Sequence, residues 1–310
     1  MNGSVGWDNG AYMIADGTNG RKVDADTLAQ AVVYAASTES RVAAIPSTPL
    51  PADISAATLP ALGLDAVLGA GDSSFEGSSD ARAENVVVAA THVSSTLIAP
   101  GQQFSFNQSL GPITIENGYV EGKIIQGDWY TSDLGGGVCQ VSTTVYRAAL
   151  YAGMHFDEWH AHSFRVSFYE LDGWPPGIDA AIYQPNAPDE WELDLKFTNP
   201  SDTWMLLQMT EDSGHFTAQL IGTPDGITIT LDAPTLSDPI APPEPQERKT
   251  DSLPKGQRQM IQQSAPGVIV TLTRTFNKDG SIVDQDTFVS DYAALPEIWN
   301  VGTGSDSSSG

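Results

Sequence analysis

The chain reads as an α+β protein: a central domain of helices packed on an antiparallel β-sheet, with a cysteine at a helix N-terminus, flanked by a small N-terminal α+β module and a C-terminal β module. Three observations lead there. Short alternating runs separated by turn residues follow one another in "ELDLKFT", "TWMLLQMT", "HFTAQLIG" and "ITITL", the pattern of an antiparallel meander. Apolar residues recur at helical spacing in "ARAENVVVAATHV" and "CQVSTTVYRAALYAG". Two stretches of breaker composition, "GAGDSSFEGSSD" and the proline-rich "APTLSDPIAPPEPQER", divide the chain.

The first unit, residues 1–68, holds a strand near "AYMIA", a turn at "DGTNG" and a helix capped by Asp24. Leu28, Ala31, Val32 and Ala35 share one face of that helix. Residues 69–80 read as a linker. The central domain, 81–232, opens with a helix through Val86 to Leu97 that "APG" stops. The cysteine helix follows, with Val141, Val145, Ala148 or Ala149 and Ala152 on a buried stripe and Gly153 just past its end; the meander closes the domain. Residues 233–248 form a second linker. The β module, 249–303, is built on "VIVTLTRTF", the "NKDG" turn and "SIVDQDTFVSDY", and 304–310 is a disordered tail.

Composition narrows the function. Fourteen Lys and Arg against 39 Asp and Glu give a formal net charge of −25, which repels nucleic acid and anionic lipid surfaces. Both are set aside as partners. One cysteine, Cys139, excludes an intramolecular disulfide and leaves the compartment open. No stretch approaches the roughly 18 consecutive apolar residues of a membrane helix. The opening "MNGSVGWDNG" lacks the basic and apolar regions of a signal peptide, so export implies a targeting segment cut away from this chain.

The chemistry concentrates around the thiol. Cys139 follows Gly135, Gly136 and Gly137 and opens a helix, where unsatisfied N–H groups and the helix dipole favour a thiolate. Glycines let the backbone approach a ligand and aim N–H groups at a developing oxyanion. "EWHAHSFRV" supplies His160 and His162, which share a face if the segment is a strand, as candidate bases. "PPGIDAAI" supplies Asp179 to orient an imidazole. Backbone N–H groups of Gly136, Gly137, Val138 and Cys139, with the side chains of Gln140 and Ser142, are candidates for oxyanion or substrate contacts. Other readings stay open: a buried cysteine filling the core, a turn cap for Asp179, or zinc held by Cys139, Asp179 and the two histidines. No cofactor is otherwise called for, and His92, His155 and His215 read as structural.

"PGQQFSFNQSLGP", "ENGY", "GGGVCQVSTTVY", "HAHS" and "PPGIDA", in that order, resemble the VanW-like family over roughly residues 82–222. Cys139, Gln140, His162 and Asp179 match, while Trp159 stands where an arginine is expected. Residues 11–60 are similar to the C-terminal part of a peptidoglycan-binding domain that often precedes this family. The end resembles a G-five domain through Gly256, Gly267, Gly280 and Gly302 with "TRTF", "SDY" and "NVGT". The resemblance implies an exported, cell-envelope protein acting on peptidoglycan stem peptides. Its leading activity is a cysteine L,D-transpeptidase; a cysteine carboxypeptidase or endopeptidase with the same site, or a non-catalytic peptidoglycan-binding protein, are the alternatives.

Overall fold

A computed structural model describes residues 4–8, 11–15, 17–50, 54–55, 57–126, 129–185 and 191–304; the expected tail falls almost wholly outside them. The fold is α+β, in two compact units, Met1–Gly63 and Leu64–Gly310.

In the first unit, β1 (Ser4–Asp8) pairs antiparallel with β2 (Ala11–Ala15), and β3 (Gly20–Val23) with β4 (Ser47–Leu50) around α1 (Ala25–Ala36). Asp24 caps α1 as its sequence position predicts, accepting from the Thr27 N–H at 3.1 Å and its hydroxyl at 2.6 Å. Of the expected apolar face, Ala35 is buried and Leu28 and Ala31 half-buried, whereas Val32 is exposed.

The second unit is built on β5 (Ala66–Ser74), α2 (Asp80–Val93), β6 (Thr96–Ile98), β7 (Gln103–Ser105) and α3 (Phe106–Leu110). Next come the hairpin β8 (Glu121–Gln126) and β9 (Trp129–Leu134), α4 (Val138–Tyr151), β10 (Phe156–Glu158), β11 (Lys196–Thr198), β12 (Met205–Asp212) and β13 (His215–Gly222). Its central sheet is antiparallel in the order β5-β13-β12-β6. Only β12 and β13 of the expected meander pair with each other. β11 joins β10 and β7 in a separate small sheet.

Residues 69–74, expected in a linker, form most of β5. Their glycines serve contact with α4 rather than flexibility. A Cβ on Gly69 would lie 2.2 Å from the Ala152 nitrogen, and one on Gly71 2.4 Å from Arg147 Cβ, so bare backbone lets the helix lie directly on the strand. The first helix is also shorter than expected. It ends at Val93, and Thr96–Ile98 leaves it to pair with β12.

The chain continues through β14 (Thr228–Leu231), β15 (Thr235–Leu236), β16 (Gln246–Pro254), β17 (Arg258–Gln262), β18 (Val268–Lys278), β19 (Ser281–Tyr292) and β20 (Ile298–Gly304). β18 and β19 form a long hairpin around Asp279 and Gly280, both at positive φ. β14, expected in the central meander, pairs with β18 instead, as does β15 from the expected second linker. Prolines in that stretch leave β15 as a two-residue edge strand, where a missing N–H costs no ladder bond. β16 and β17 flank β20.

Helix α4 is buried on nearly every side, not along one stripe. Its polar residues are paired: Thr144 Oγ1 with Gln140 O and Ser73 Oγ at 2.7 Å each, and Ser142 Oγ with Ala180 O at 2.6 Å. Arg147 reaches the carbonyls of Asp72, Tyr169 and Ile178. Gly153, at φ 76°, closes the helix: its N–H bonds Leu150 O and that of Met154 bonds Ala149 O, a Schellman end. Gly71→Val places branched carbon inside this contact. It lowers stability by at least about 2 kcal/mol, read as a fall in thermal midpoint followed by circular dichroism.

Candidate active site

Cys139 is the second residue of α4, as the glycine run before it predicts. Gly137 caps the helix at φ 119°, and a Cβ there would meet Val86 Cγ2 at 2.7 Å; Gly135 sits at φ 77° with Ile113 Cγ2 at 2.7 Å from its would-be Cβ. Both positions demand glycine on conformational and steric grounds. Gly136 is held by Asn85, whose amide donates to Gly136 O at 3.1 Å and Val120 O at 2.9 Å while its carbonyl accepts from the Val120 N–H. The cysteine is partly exposed, with Sγ 3.6 Å from Ile182 O.

His162 and Asp179 come to this sulfur on two irregular segments. The carboxylate Oδ2 of Asp179 accepts both from the His162 backbone N–H at 2.9 Å and from the ring Nδ1–H. That bond assigns the tautomer and directs Nε2 toward the thiol. Nε2 is buried and, among the described residues, forms no hydrogen bond of ordinary geometry; Cys139 joins Asp179 in favouring protonation of the ring. Burial pushes the thiol up, but the adjacent His162 and its charge, with Ile182 O and Arg82 adding to them, bring it below the usual thiol range. Burial likewise disfavours the imidazolium, yet Asp179 and Cys139 outweigh it and raise His162 to about 10. Asp179 is held low against burial by its His162 and Tyr292 donors. Together these describe a thiolate–imidazolium pair backed by a carboxylate.

Other expected site residues fall elsewhere. His160 does not share a face with His162, because residues 159–162 are not a strand. Its Nε2 pairs with Glu158 at 3.0 Å, beside an open cavity of about 420 Å³ that it lines with Trp159 and Phe288. Gln140 is no oxyanion donor: its amide nitrogen is committed to Ser74 O at 2.8 Å and Ser73 Oγ at 3.2 Å, and its carbonyl accepts from Arg82 at 2.7 Å. Ser142 is fully buried and ties α4 to the Asp179 segment. The Val138 N–H is already donated to Gly135 O at 3.0 Å, which leaves Gly136, Gly137 and Cys139 as the better backbone candidates. Zinc would need its ligands around one point. Cys139 and Asp179 instead sit on opposite sides of one imidazole, and no metal-holding group of three forms among the described residues.

Two site residues carried no role of this kind in the sequence, where Trp159 stood out only as a departure from the family pattern and Tyr292 only within "SDY". Trp159 donates its indole N–H to Asp179 O at 2.9 Å and stacks on Tyr146. Tyr292, buried at the end of β19, donates its hydroxyl to Asp179 Oδ1. The alternation Phe288, Ser290, Tyr292, all buried on one face, was the available signal: two polar groups facing inward at a strand end.

Fold and site thus define an α+β thiol–imidazole–carboxylate protein. Residues 81–221 match the family model described as VanW like protein. A curated relative, the uncharacterized protein YoaR of Bacillus subtilis (strain 168), is 32% identical over 108 residues, 35% of this chain and 34% of the relative, so the match spans about a third of its length. Two solved structures align with the chain: the G5 domain of IgA1 protease at 20% identity, covering 25% of this chain and 90% of that one with a TM-score of 0.17, and the G5 domain of HP0197 at 18%, covering 24% and 97% with a TM-score of 0.13. No helix among the described residues is long and apolar enough to cross a membrane.

His162→Ala removes the partner that offsets burial, so the Cys139 thiol titrates above its ordinary range. Alkylation by iodoacetamide at pH 7 slows roughly ten-fold or more, measured by mass spectrometry of the labelled protein.

Proposed function

We propose that this protein is a cysteine acyltransferase of the cell envelope, an L,D-transpeptidase acting on peptidoglycan stem peptides outside the cytoplasm. The observation that carries the reading is the coupling of Cys139 at a helix N-terminus to His162 and, through it, to Asp179. The match of residues 81–221 to the VanW-like family model supports placing this thiol acyltransferase in the cell wall.

The Cys139 thiolate attacks the carbonyl carbon of the third residue of a donor tetrapeptide. The tetrahedral oxyanion is held by the N–H groups of Gly137 and Cys139, each donor contributing on the order of 3 kcal/mol. His162 gives its Nε2 proton to the departing amine of the terminal D-alanine as the C–N bond breaks, leaving a thioester and a neutral imidazole. That imidazole takes a proton from the acceptor amine as it attacks the thioester. The C–S bond then breaks and the thiolate–imidazolium pair is restored. Asp179 keeps the ring in the required tautomer throughout.

Incubation with purified muropeptides, analysed by mass spectrometry, yields loss of D-alanine together with crosslinked dimers, and Cys139→Ala abolishes both. Loss of D-alanine without dimers would instead assign a carboxypeptidase. Unchanged masses with cosedimentation on sacculi would assign a non-catalytic binder and overturn the catalytic reading.

A further inference from the structure

The family match ends at residue 221, yet the hairpin β18–β19 braces the candidate site from behind. We propose that this hairpin is part of the catalytic apparatus and that Tyr292 is a positioning residue, fixing the Asp179 carboxylate so that its other oxygen stays on His162. The inference rests on the reading of Cys139, His162 and Asp179 as nucleophile, base and orienting carboxylate.

Asp179 Oδ2 holds both donors from His162, and two donors on one oxygen do not satisfy the other. Oδ1 is taken by the Tyr292 hydroxyl. In a site this buried, an acceptor without a donor is costly and the carboxylate turns to find one. Neighbours of Tyr292 grip the same two segments. The Ala293 N–H donates to Ser163 O at 2.8 Å, next to His162, and Ser290 Oγ lies 3.5 Å from Gly177 O, two residues before Asp179. Gly177 has φ +90°, and a Cβ there would meet Val270 Cγ1 of β18 at 2.8 Å. Wholly buried Arg274 bonds Leu150 O and Met154 O at 2.9 Å each and pairs with Asp286. One hairpin therefore touches the helix of Cys139, the segment of His162 and the segment of Asp179.

The titratable and charged groups around this point are His162, Tyr146, Tyr169, Arg165 and its ion-pair partner Glu170, with Arg82 facing the thiol. None of them bonds Asp179 Oδ1. As the pH rises through the titration of the thiol, which lies below the usual thiol range, the Cys139–His162–Asp179 cluster passes from net neutral to net −1. A hydroxyl donating to it stabilises the anionic form, so its removal moves the acid limb of thiol reactivity to higher pH, wherever in the cluster the proton settles.

The test follows the alkylation rate of the full chain against pH in three proteins. Tyr292→Phe keeps the ring in its packing against Val268 and Val270 and removes the donor; its acid limb moves up by about one pH unit, with a near-normal thermal midpoint. Incorporation of 3-fluorotyrosine at 292, whose more acidic phenol is a stronger donor, moves the limb down, and this arm stands even if Tyr292→Phe fails to fold. A wild-type thiol reactive below the ordinary range whose limb neither substitution moves overturns the role of Tyr292 and leaves the active-site reading intact. A wild-type thiol titrating in the ordinary range overturns both.

Discussion

One negative charge withdrawn from water organises the candidate site. Asp179 is almost wholly inaccessible, and an isolated carboxylate in such a place would take up a proton rather than stay ionised. It remains charged because donors converge on it: the His162 main chain, the His162 ring and the Tyr292 hydroxyl. The charge so held favours a protonated imidazole, and the imidazolium in turn favours a thiolate at the opening of α4. Each ionisation supports the next.

Such a relay needs parts that do not drift, and α4 provides the rigidity. The helix is enclosed rather than amphipathic, with Gly69 and Gly71 bringing β5 into backbone contact and Asn85 pinning the glycine loop before it. Its interior polar residues are bonded across to Ala180, Ser73 and the Asp179 segment, so the helix and the carboxylate move together or not at all. Arg147, bonded to the carbonyls of Asp72, Tyr169 and Ile178, stitches the same layers.

Much of this was legible in the sequence where local chemistry decides structure. A glycine run before a cysteine and an apolar helical pattern placed Cys139 at α4, Asp24 capped α1, and "NKDG" joined two strands. What failed was inference that depends on partners distant in the chain. Glycines 69 and 71 look like linker residues until the helix they accommodate is known. His160 and His162 look equivalent until the backbone between them proves irregular, sending one to Glu158 and the other to Asp179. Gln140 and Ser142 look like site polar groups, yet both are consumed in holding α4 to its neighbours. Pairing of β14 and β15 with β18 carries no local signature at all.

The β18–β19 hairpin is joined to segments more than a hundred residues away in the chain, to the end of α4 through Arg274 and to Asp179 through Tyr292. A chain synthesised or threaded N-terminus first therefore presents its sulfur long before the strand that completes the surroundings of Asp179 exists. Contacts of such long separation form late. The nucleophile is thus born unarmed, and acquires its electrostatic support when the final strands fold onto the rest.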